Sequence, residues 1–173
     1  MLIFDLDETL IHSKRDEDEL EFSDLANNYE EYEPDFYVQM EAPGSEYGPF
    51  MQAVYLRPYL HELLRTANID YEVAIFTAGY DWYANPIIDN IDPSGNLIQH
   101  RFFRQHAQTV TFMGQEMLYK DLDIFDGIDL SRILIVDNQV FSFATNLKNG
   151  VPIASFYGGK KDSELIKVIK YVR

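Results

Sequence analysis

The stretch that decides how this chain is interpreted is Met1-Leu2-Ile3-Phe4-Asp5-Leu6-Asp7-Glu8-Thr9-Leu10. Its apolar start predicts a short buried strand, and Asp5 falls where that strand ends. In an open α/β sheet the carboxyl end of a strand is where ligands bind. Two carboxylates at that place are costly unless a bound cation compensates for their charge. A bare Asp-x-Asp is more often an acidic turn, so the rest of the chain has to decide between the two interpretations.

Length and composition indicate one globular domain covering residues 1–173. Hydrophobic residues make up 46% of the chain and aromatic residues 14%, which is enough for a large core. The absence of cysteine excludes disulfides and thiolate chemistry, so a metal site must use oxygen or histidine ligands. Neither a signal-peptide pattern nor an apolar run of roughly 18 residues is present. We therefore expect a soluble, intracellular monomer that does not bind membranes.

The net charge of −15 is concentrated in one segment. Between Asp16 and Glu46 there are 12 acidic residues and no Lys or Arg, and the rest of the chain carries only −3. This distribution argues against direct binding of nucleic acid. A block of like charge is usually solvated, and we interpret residues 16–33 as a surface loop or short helices.

Alternating strand and helix patterns predict a doubly wound parallel α/β sheet with helices on both faces. The predicted strands after the first are Asp35–Met40, Met51–Leu56, Tyr71–Phe76, Arg101–Arg104, Arg132–Val136 and Val151–Phe156. The predicted helices are one opened by Arg57-Pro58 with the apolar stripe Leu60, Leu63 and Leu64, one from Asp81 to Asn90, and one from Ser163 to Tyr171. The segment Val110–Leu118 predicts a hairpin that turns at Met113-Gly114.

An insertion of about residues 13–55 separates the first strand from the first helix. His12 to Arg15 are interpreted as leaving the first strand. The Pro/Gly-rich stretch 42–49 lies between two predicted strands and indicates an antiparallel hairpin with a long turn.

Polar residues follow three separate predicted strands at the points where those strands end. They are Asp5, Asp7, Thr77, Asp137 and Asn138, and Lys120 joins them from a loop. Taken one at a time, each has an ordinary structural explanation, because a threonine caps a helix, a lysine is a surface charge and Asp-Asn forms a turn. Their joint presence at strand ends favours a shared site.

Several motifs accompany these residues, in order, along nearly the whole chain. They are Asp5-Leu6-Asp7-Glu8-Thr9-Leu10, Leu56-Arg57-Pro58, Phe76-Thr77-Ala78-Gly79, Tyr83-Ala84, Phe103-Arg104, Lys120-Asp121-Leu122, Ile135-Val136-Asp137-Asn138 and Asn149-Gly150-Val151-Pro152-Ile153. In this combination the chain resembles the haloacid dehalogenase (HAD) superfamily and, within it, the FCP/SCP family of small C-terminal-domain phosphatases. The resemblance implies a HAD-like fold and a phosphatase for phosphoserine or phosphothreonine in proteins, notably in the heptad tail of RNA polymerase II. A nuclear location would rest on this resemblance alone.

The resemblance implies catalytic roles for five residues. Asp5 is the expected nucleophile, which forms an aspartyl-phosphate, and Asp7 is the expected acid and base. Thr77 and nearby backbone N–H groups are expected to bind the transferring oxygens, while Lys120 offsets charge between phosphate and nucleophile. Thr9 is expected to orient the loop that carries Asp7. Phosphoryl transfer depends mostly on such positioning and charge neutralisation.

The cofactor that the resemblance implies is Mg²⁺, which prefers oxygen ligands and keeps several waters. Its expected ligands are the Asp5 carboxylate, the Asp7 backbone carbonyl and the Asn138 side chain. Asp137 is expected beside them, as a ligand or as a neighbouring carboxylate. None of the four histidines shows metal-ligand spacing.

Four residues are expected at the substrate. Arg104 matches a family arginine that lies near the substrate phosphate, and Ala78 and Gly79 offer backbone donors. Tyr83 is assigned to a substrate groove, although a helix stripe that faces the core is the simpler explanation. The acidic segment is hypothesised to select phosphopeptides with basic flanks or to fold back over the site.

Two other functions stay open. One is a protein-binding module with an inactive site of the same fold, although every expected catalytic residue is present here. The other is a small-molecule phosphatase of the superfamily. Those enzymes usually carry a larger cap domain, for which 173 residues leave little room. Activity on p-nitrophenyl phosphate, compared with activity on phosphopeptides, discriminates among these functions.

Overall fold

The computed structural model describes residues 1–15, 33–112 and 114–173, which form strands, α-helices and 3₁₀ helices. The strands and α-helices are β1 (Leu2–Phe4), β2 (Ile11–Arg15), β3 (Phe36–Met40), β4 (Phe50–Leu56), α1 (Leu60–Ala67), β5 (Val73–Phe76), α2 (Asp81–Ile91), β6 (His100–Phe102), β7 (Gln108–Phe112), β8 (Gln115–Tyr119), β9 (Leu134–Asp137), β10 (Gly150–Pro152) and α3 (Glu164–Val172). The 3₁₀ helices are Arg104–His106, Leu122–Ile124, Leu130–Arg132 and Val140–Asn149.

The central sheet has five parallel strands in the order β10-β9-β1-β5-β6. Strand β1 lies between β9 and β5, with Phe4 opposite Val136 on one side and Ile75 on the other. The carboxyl ends of these three strands therefore meet at one edge of the sheet, where Asp5, which directly follows β1, also lies. The predicted doubly wound α/β fold is confirmed.

Both faces of the sheet are covered, because successive residues of a strand point to opposite sides. Leu2 and Phe4 pack into a core formed with the apolar stripes of α1, α2 and α3. Ile3 packs on the other side with Leu122 and Phe143, which belong to 3₁₀ helices. In the part of the chain that the structure describes, helices lie on both faces as predicted, with α-helices on one face and 3₁₀ helices on the other.

The insertion forms a second, antiparallel sheet in the order β2-β4-β3. The predicted hairpin corresponds to β3 and β4. His12 to Arg15 do leave the first strand, but they form a further strand, β2, which the sequence pattern did not indicate. The pattern Ile11-His12-Ser13-Lys14-Arg15 is mostly polar, and only its pairing with β4, from Ile11 opposite Leu56 to Arg15 opposite Gln52, makes it a strand.

Two predicted strands end earlier than expected. The predicted Arg101–Arg104 strand ends at Phe102, because the Arg104 backbone N–H turns to the Gly79 carbonyl at 2.9 Å and a 3₁₀ turn follows. The predicted Val151–Phe156 strand ends at Pro152, because the Phe156 N–H bonds to the Glu8 carbonyl at 2.8 Å instead of continuing the ladder. In both cases contacts with loops of the sheet edge end the strand.

The predicted loop or short helices at 16–33 lie, apart from Glu33, outside the described residues. Among the helices of the described ranges, none is long and apolar enough to cross a membrane.

Candidate active site

A cavity of about 420 Å³ opens where the carboxyl ends of β1, β5 and β9 meet, and Asp7 is among its lining residues. Five of the other lining residues are polar and almost fully buried: Asp5 is 7% exposed, Thr77 1%, Lys120 3%, Asp137 1% and Ser142 8%. Asp5, Thr77 and Asp137 come from strand ends, and Lys120 directly follows β8. The structure therefore brings the sequence-predicted residues together in one place.

Lys120 links two carboxylates at the bottom of this cavity. Its Nζ lies 2.5 Å from Asp5 Oδ1 and 2.6 Å from Asp137 Oδ2. Burial by itself would lower the pKa of Lys120, but the two carboxylates raise it above its ordinary value. The lysine therefore stays charged, and with both carboxylates ionised the group has a net charge of −1. Such a group favours binding of a further cation.

Thr9 fixes the other oxygen of Asp5. Its hydroxyl donates to Asp5 Oδ2 at 2.9 Å, lies 3.3 Å from Asn138 Oδ1 and accepts the Asn138 backbone N–H at 3.2 Å. Burial raises the pKa of Asp5 to about 7, and the Lys120 ammonium opposes this shift. Beyond the expected orientation of the Asp7 loop, Thr9 therefore also positions the expected nucleophile and the expected metal ligand.

The oxygens near Thr9 fit a magnesium ion. Asp5 Oδ2 and Asn138 Oδ1 approach the same hydroxyl, so two hard oxygen donors lie side by side. The Asn138 amide is oriented by donation from its Nδ2 to Ser155 Oγ at 3.0 Å, which leaves Oδ1 toward Thr9. Across the described ranges no three or more His, Asp or Glu side chains gather as a metal-binding group. Mg²⁺ does not need such a group, because it binds through one or two carboxylates and keeps waters.

Asp137 lies at the end of β9, beside Lys120. One of its oxygens binds Lys120, and the other, Oδ1, accepts the Gln139 backbone N–H at 2.7 Å. Both oxygens are thus engaged by protein donors. This geometry favours a role beside the metal site, as a partner for Lys120.

Asp7 is held by two hydroxyl groups. Tyr83 OH donates to its Oδ1, and Thr77 Oγ1 makes a long contact of 3.4 Å with its Oδ2. Burial raises the pKa of Asp7 to about 6, which is close to the range in which a carboxyl can both give and take a proton at neutral pH. Burial and the adjacent Asp7 carboxylate raise the pKa of Tyr83, so that this hydroxyl keeps its proton.

The backbone after β5 turns closely around Thr77. The Gly79 N–H donates to Thr77 Oγ1 at 2.9 Å. A Cβ at position 79 would lie 3.0 Å from the Tyr83 ring and 3.2 Å from Thr77 Oγ1, so glycine gives this turn the room that it needs. Ala78 and Gly79 line the cavity.

Arg104 lies outside this cavity, on the surface. Its guanidinium donates to the Ala78 carbonyl at 3.3 Å and its Cζ lies 5.2 Å from the centre of the Tyr80 ring. It is exposed, and its role at the substrate stays a prediction.

Sequence reasoning missed three contributors to the site. Ser142 accepts the Lys120 backbone N–H at 2.6 Å through its carbonyl, which no side-chain pattern could reveal. Ser13 and Gln52, both in the insertion sheet, are connected to Tyr83, whose expected place was a substrate groove or the core. A polar residue on the buried face of a predicted strand, as at Gln52, is the signal that could have indicated such a contact.

Comparisons with known proteins show matches along the whole chain. Residues 1–173 match the family model described as NLI interacting factor-like phosphatase. CTD small phosphatase-like protein 3 from Caenorhabditis elegans is 36% identical over 176 residues, which cover 99% of this chain and 52% of that protein. Carboxy-terminal domain RNA polymerase II polypeptide A small phosphatase 2 from Homo sapiens is 33% identical over 168 residues, which cover 97% of this chain and 54% of that protein. The chain thus spans about half the length of these relatives.

A solved structure shows the same fold. The structure of Fcp1, described as an essential RNA polymerase II CTD phosphatase, matches with a TM-score of 0.73. The match covers 99% of this chain and 60% of that chain, at 17% sequence identity. At that identity the likeness supports the architecture and not the substrate.

Proposed function

This chain belongs to the NLI interacting factor-like phosphatase family, and from that membership we propose that it hydrolyses phosphoserine or phosphothreonine in proteins through an aspartyl-phosphate on Asp5. The observation that carries the proposal is the contact of Lys120 with both Asp5 and Asp137 beside the hydroxyl-bound Asp7. This arrangement offers a nucleophile, a fixed cation and a carboxyl that can exchange a proton within one cavity.

In the first step, an Asp5 oxygen attacks phosphorus and the bond from phosphorus to the serine or threonine oxygen breaks. Protonated Asp7 gives its proton to the departing oxygen, so the product leaves as an alcohol and Asp7 becomes a carboxylate. Lys120 offsets negative charge as the phosphoryl group approaches Asp5. Thr77 and the turn at Gly79 line the same cavity and are the proposed donors to the transferring oxygens.

In the second step, water attacks the phosphorus of the aspartyl-phosphate and the bond to the Asp5 oxygen breaks. Asp7 takes a proton from the attacking water, which regenerates its acid form and releases phosphate. One carboxyl thus serves first as acid and then as base, and its raised pKa of about 6 suits both tasks.

The residues that would hold Mg²⁺ are the Asp5 carboxylate, the Asn138 side-chain oxygen and the Asp7 backbone carbonyl. A bound Mg²⁺ would supply positive charge for the phosphoryl oxygens. The chain itself contributes the orientation of these ligands, through Thr9 and through the Asn138–Ser155 hydrogen bond.

The proposed substrate is a phosphopeptide such as the carboxy-terminal tail of RNA polymerase II. The printed names of relatives support this class, since several are called CTD or RNA polymerase II small phosphatases. A location in the nucleus would follow from the same substrate. Arg104 and the backbone of Ala78 and Gly79 are the proposed contacts of the phosphopeptide.

The test is hydrolysis of p-nitrophenyl phosphate and of a phosphoserine peptide, with Mg²⁺ and with EDTA. We expect turnover that needs the metal and that falls at least about 10³-fold in Asp5→Asn, because a nucleophile cannot be replaced by its neighbours. The matched control is Asp70→Asn, which changes an exposed carboxylate after α1 and should keep full activity. Turnover that persists in Asp5→Asn would contradict the aspartyl-phosphate, and binding of the phosphopeptide without any turnover would indicate a binding module.

A further inference from the structure

A chain of three hydrogen bonds extends from Asp7 into the insertion sheet. Tyr83 OH, on α2, donates to Asp7 Oδ1. Ser13 Oγ, on β2, lies 2.6 Å from the same Tyr83 oxygen. Gln52 Nε2, on β4, donates to Ser13 Oγ at 2.9 Å. Two strands of the insertion are therefore connected to the proposed acid of the reaction.

The direction of these hydrogen bonds follows from their ends. The ionised Asp7 carboxylate can only accept, so Tyr83 must donate to it. The Tyr83 oxygen then accepts from the Ser13 hydroxyl, whose own oxygen accepts from the Gln52 amide. Every donor in the chain points toward Asp7. Gln52 is 9% exposed, so the far end of the chain is anchored in the protein interior.

We propose that Tyr83, held by Ser13 and Gln52, is a positioning residue that fixes the Asp7 carboxyl and reserves its Oδ2 for the proton delivered to the leaving group. The inference rests on the proposed phosphatase function. Oδ1 is occupied by the Tyr83 hydroxyl, whereas Oδ2 has only the long 3.4 Å contact from Thr77. Protonated Asp7 therefore carries its proton on Oδ2. In phosphoryl transfer that proton moves to the leaving oxygen, and Tyr83 keeps its own.

This role has a consequence that a structural or substrate-binding role for Tyr83 does not have. A leaving group that departs as a stable anion, such as p-nitrophenolate, needs little help from an acid. A more basic phenolate or an alkoxide needs the proton. A misplaced Asp7 therefore slows reactions of basic leaving groups selectively, whereas poor folding or weak binding slows all of them alike.

The test compares Tyr83→Phe with the wild type on p-nitrophenyl phosphate and phenyl phosphate, which are similar in size and differ in the basicity of the leaving group. We expect kcat/KM to fall about tenfold or more for phenyl phosphate and less than about threefold for p-nitrophenyl phosphate, part of the 10²–10⁴-fold that general acid catalysis contributes. Ser13→Ala should show the same preference to a smaller extent. Tyr171→Phe, a change of an exposed tyrosine on α3, is the matched control and should leave both values unchanged. Equal losses on the two substrates, or no loss, would overturn the proposal.

A second measurement separates this inference from the proposed function. Crystal structures of the wild type and Tyr83→Phe should show the Asp7 carboxyl rotated away from its wild-type position in the variant, whether or not the protein turns over either substrate. An Asp7 that stays in place without the Tyr83 hydroxyl would refute the positioning role. Absence of turnover in the wild type would refute the phosphatase proposal and would leave the crystallographic comparison to decide on Tyr83.

Discussion

The carboxyl-end edge of the parallel central sheet and the antiparallel insertion sheet differ in what they bury. At the edge, Asp5, Lys120 and Asp137 are charged and less than a tenth exposed. Among the described residues, every buried side-chain nitrogen or oxygen has a hydrogen-bond partner. The insertion sheet buries one face and shows large side chains on the other, with Tyr37 50% and Met51 41% exposed. The proposed chemistry therefore depends on a network of buried charges and hydrogen bonds, whereas the insertion offers accessible surface.

The largest expected effect on stability comes from removing the cation of the edge network. Lys120→Met leaves Asp5 and Asp137 without their shared ammonium in a buried place. We expect the free energy of unfolding to fall by about 3–5 kcal/mol, because an uncompensated buried charge is left. This fall in the free energy of unfolding is measured by urea unfolding of Lys120→Met and the wild type.

A surface pair provides the control for that change. Lys167 lies 2.5 Å from Glu164 on α3, but its side chain is 71% exposed. Lys167→Met should therefore have no measurable effect on the urea midpoint. If Lys120→Met and Lys167→Met lower the free energy of unfolding by the same small amount, the buried network contributes no more to stability than a surface ion pair does.

A smaller effect is expected from Arg57, which connects the two regions at the end of β4. Arg57 is 1% exposed and donates to Thr9 O at 3.0 Å, to Ala154 O at 2.7 Å and to both oxygens of Asp162 at 2.9 and 3.0 Å. We expect Arg57→Met to lower the free energy of unfolding by about 2–4 kcal/mol, since buried carbonyls lose their donor. Arg57→Lys should restore only part of the lost free energy of unfolding, because lysine lacks the planar guanidinium that can donate to several acceptors at once.

Arg101 is the matched control for Arg57. It lies 2.7 Å from Asp89, whose side chain is 66% exposed. Arg101→Met should leave thermal and urea midpoints close to those of the wild type. A loss in Arg101→Met equal to that in Arg57→Met would mean that burial does not separate the two ion pairs.

The smallest expected effect concerns the pH dependence of stability. The pKa of Asp7 is raised from its ordinary value near 4 to about 6 in the folded protein. Between these values the folded state binds more protons than the unfolded state, so this group's contribution to stability falls as pH rises from about 4 to about 6 and then stays constant. Asp7→Asn removes the effect. In EDTA, we expect the free energy of unfolding of the variant to rise by about 1–2 kcal/mol relative to the wild type as pH increases between these values. This is less than the full pKa shift would give, because Asp7 is partly exposed. The free energies of unfolding of the wild type and the variant are measured by urea unfolding at several pH values. A difference between them that stays constant across this pH range would contradict the prediction.

Most of the residues at the carboxyl-end edge of the central sheet were predictable from the sequence, because the patterns that indicate them are local. Asp5, Thr77 and Asp137-Asn138 each follow or end a short apolar run, and such runs identify strands and their ends. Lys120 had no local signal of its own, and only its motif in a familiar order suggested a role. The magnesium ligands and the roles of Arg104, Ala78 and Gly79 stay predictions.

The insertion was predictable in part. The Pro/Gly-rich stretch 42–49 between the predicted strands Asp35–Met40 and Met51–Leu56 indicated the hairpin, and the structure has strands at Phe36–Met40 and Phe50–Leu56. The polar strand β2 and the role of Arg57 were not predictable, because the first depends on pairing across about 40 residues and the second on a carbonyl far along the chain. The hypothesis that the acidic segment selects substrates stays a prediction, because residues 16–32 of that segment lie outside the described residues.

Local sequence is enough to predict which side chains lie at the ends of strands, because strand periodicity and strand ends are properties of neighbouring residues. Which of these side chains contact each other depends on the folded chain. Lys120 lies 115 positions from Asp5 in the chain and Tyr83 lies 76 positions from Asp7. Those contacts depend on strand order and on the face that α2 presents to the insertion sheet, and both are set by long-range packing of the core rather than by any local pattern.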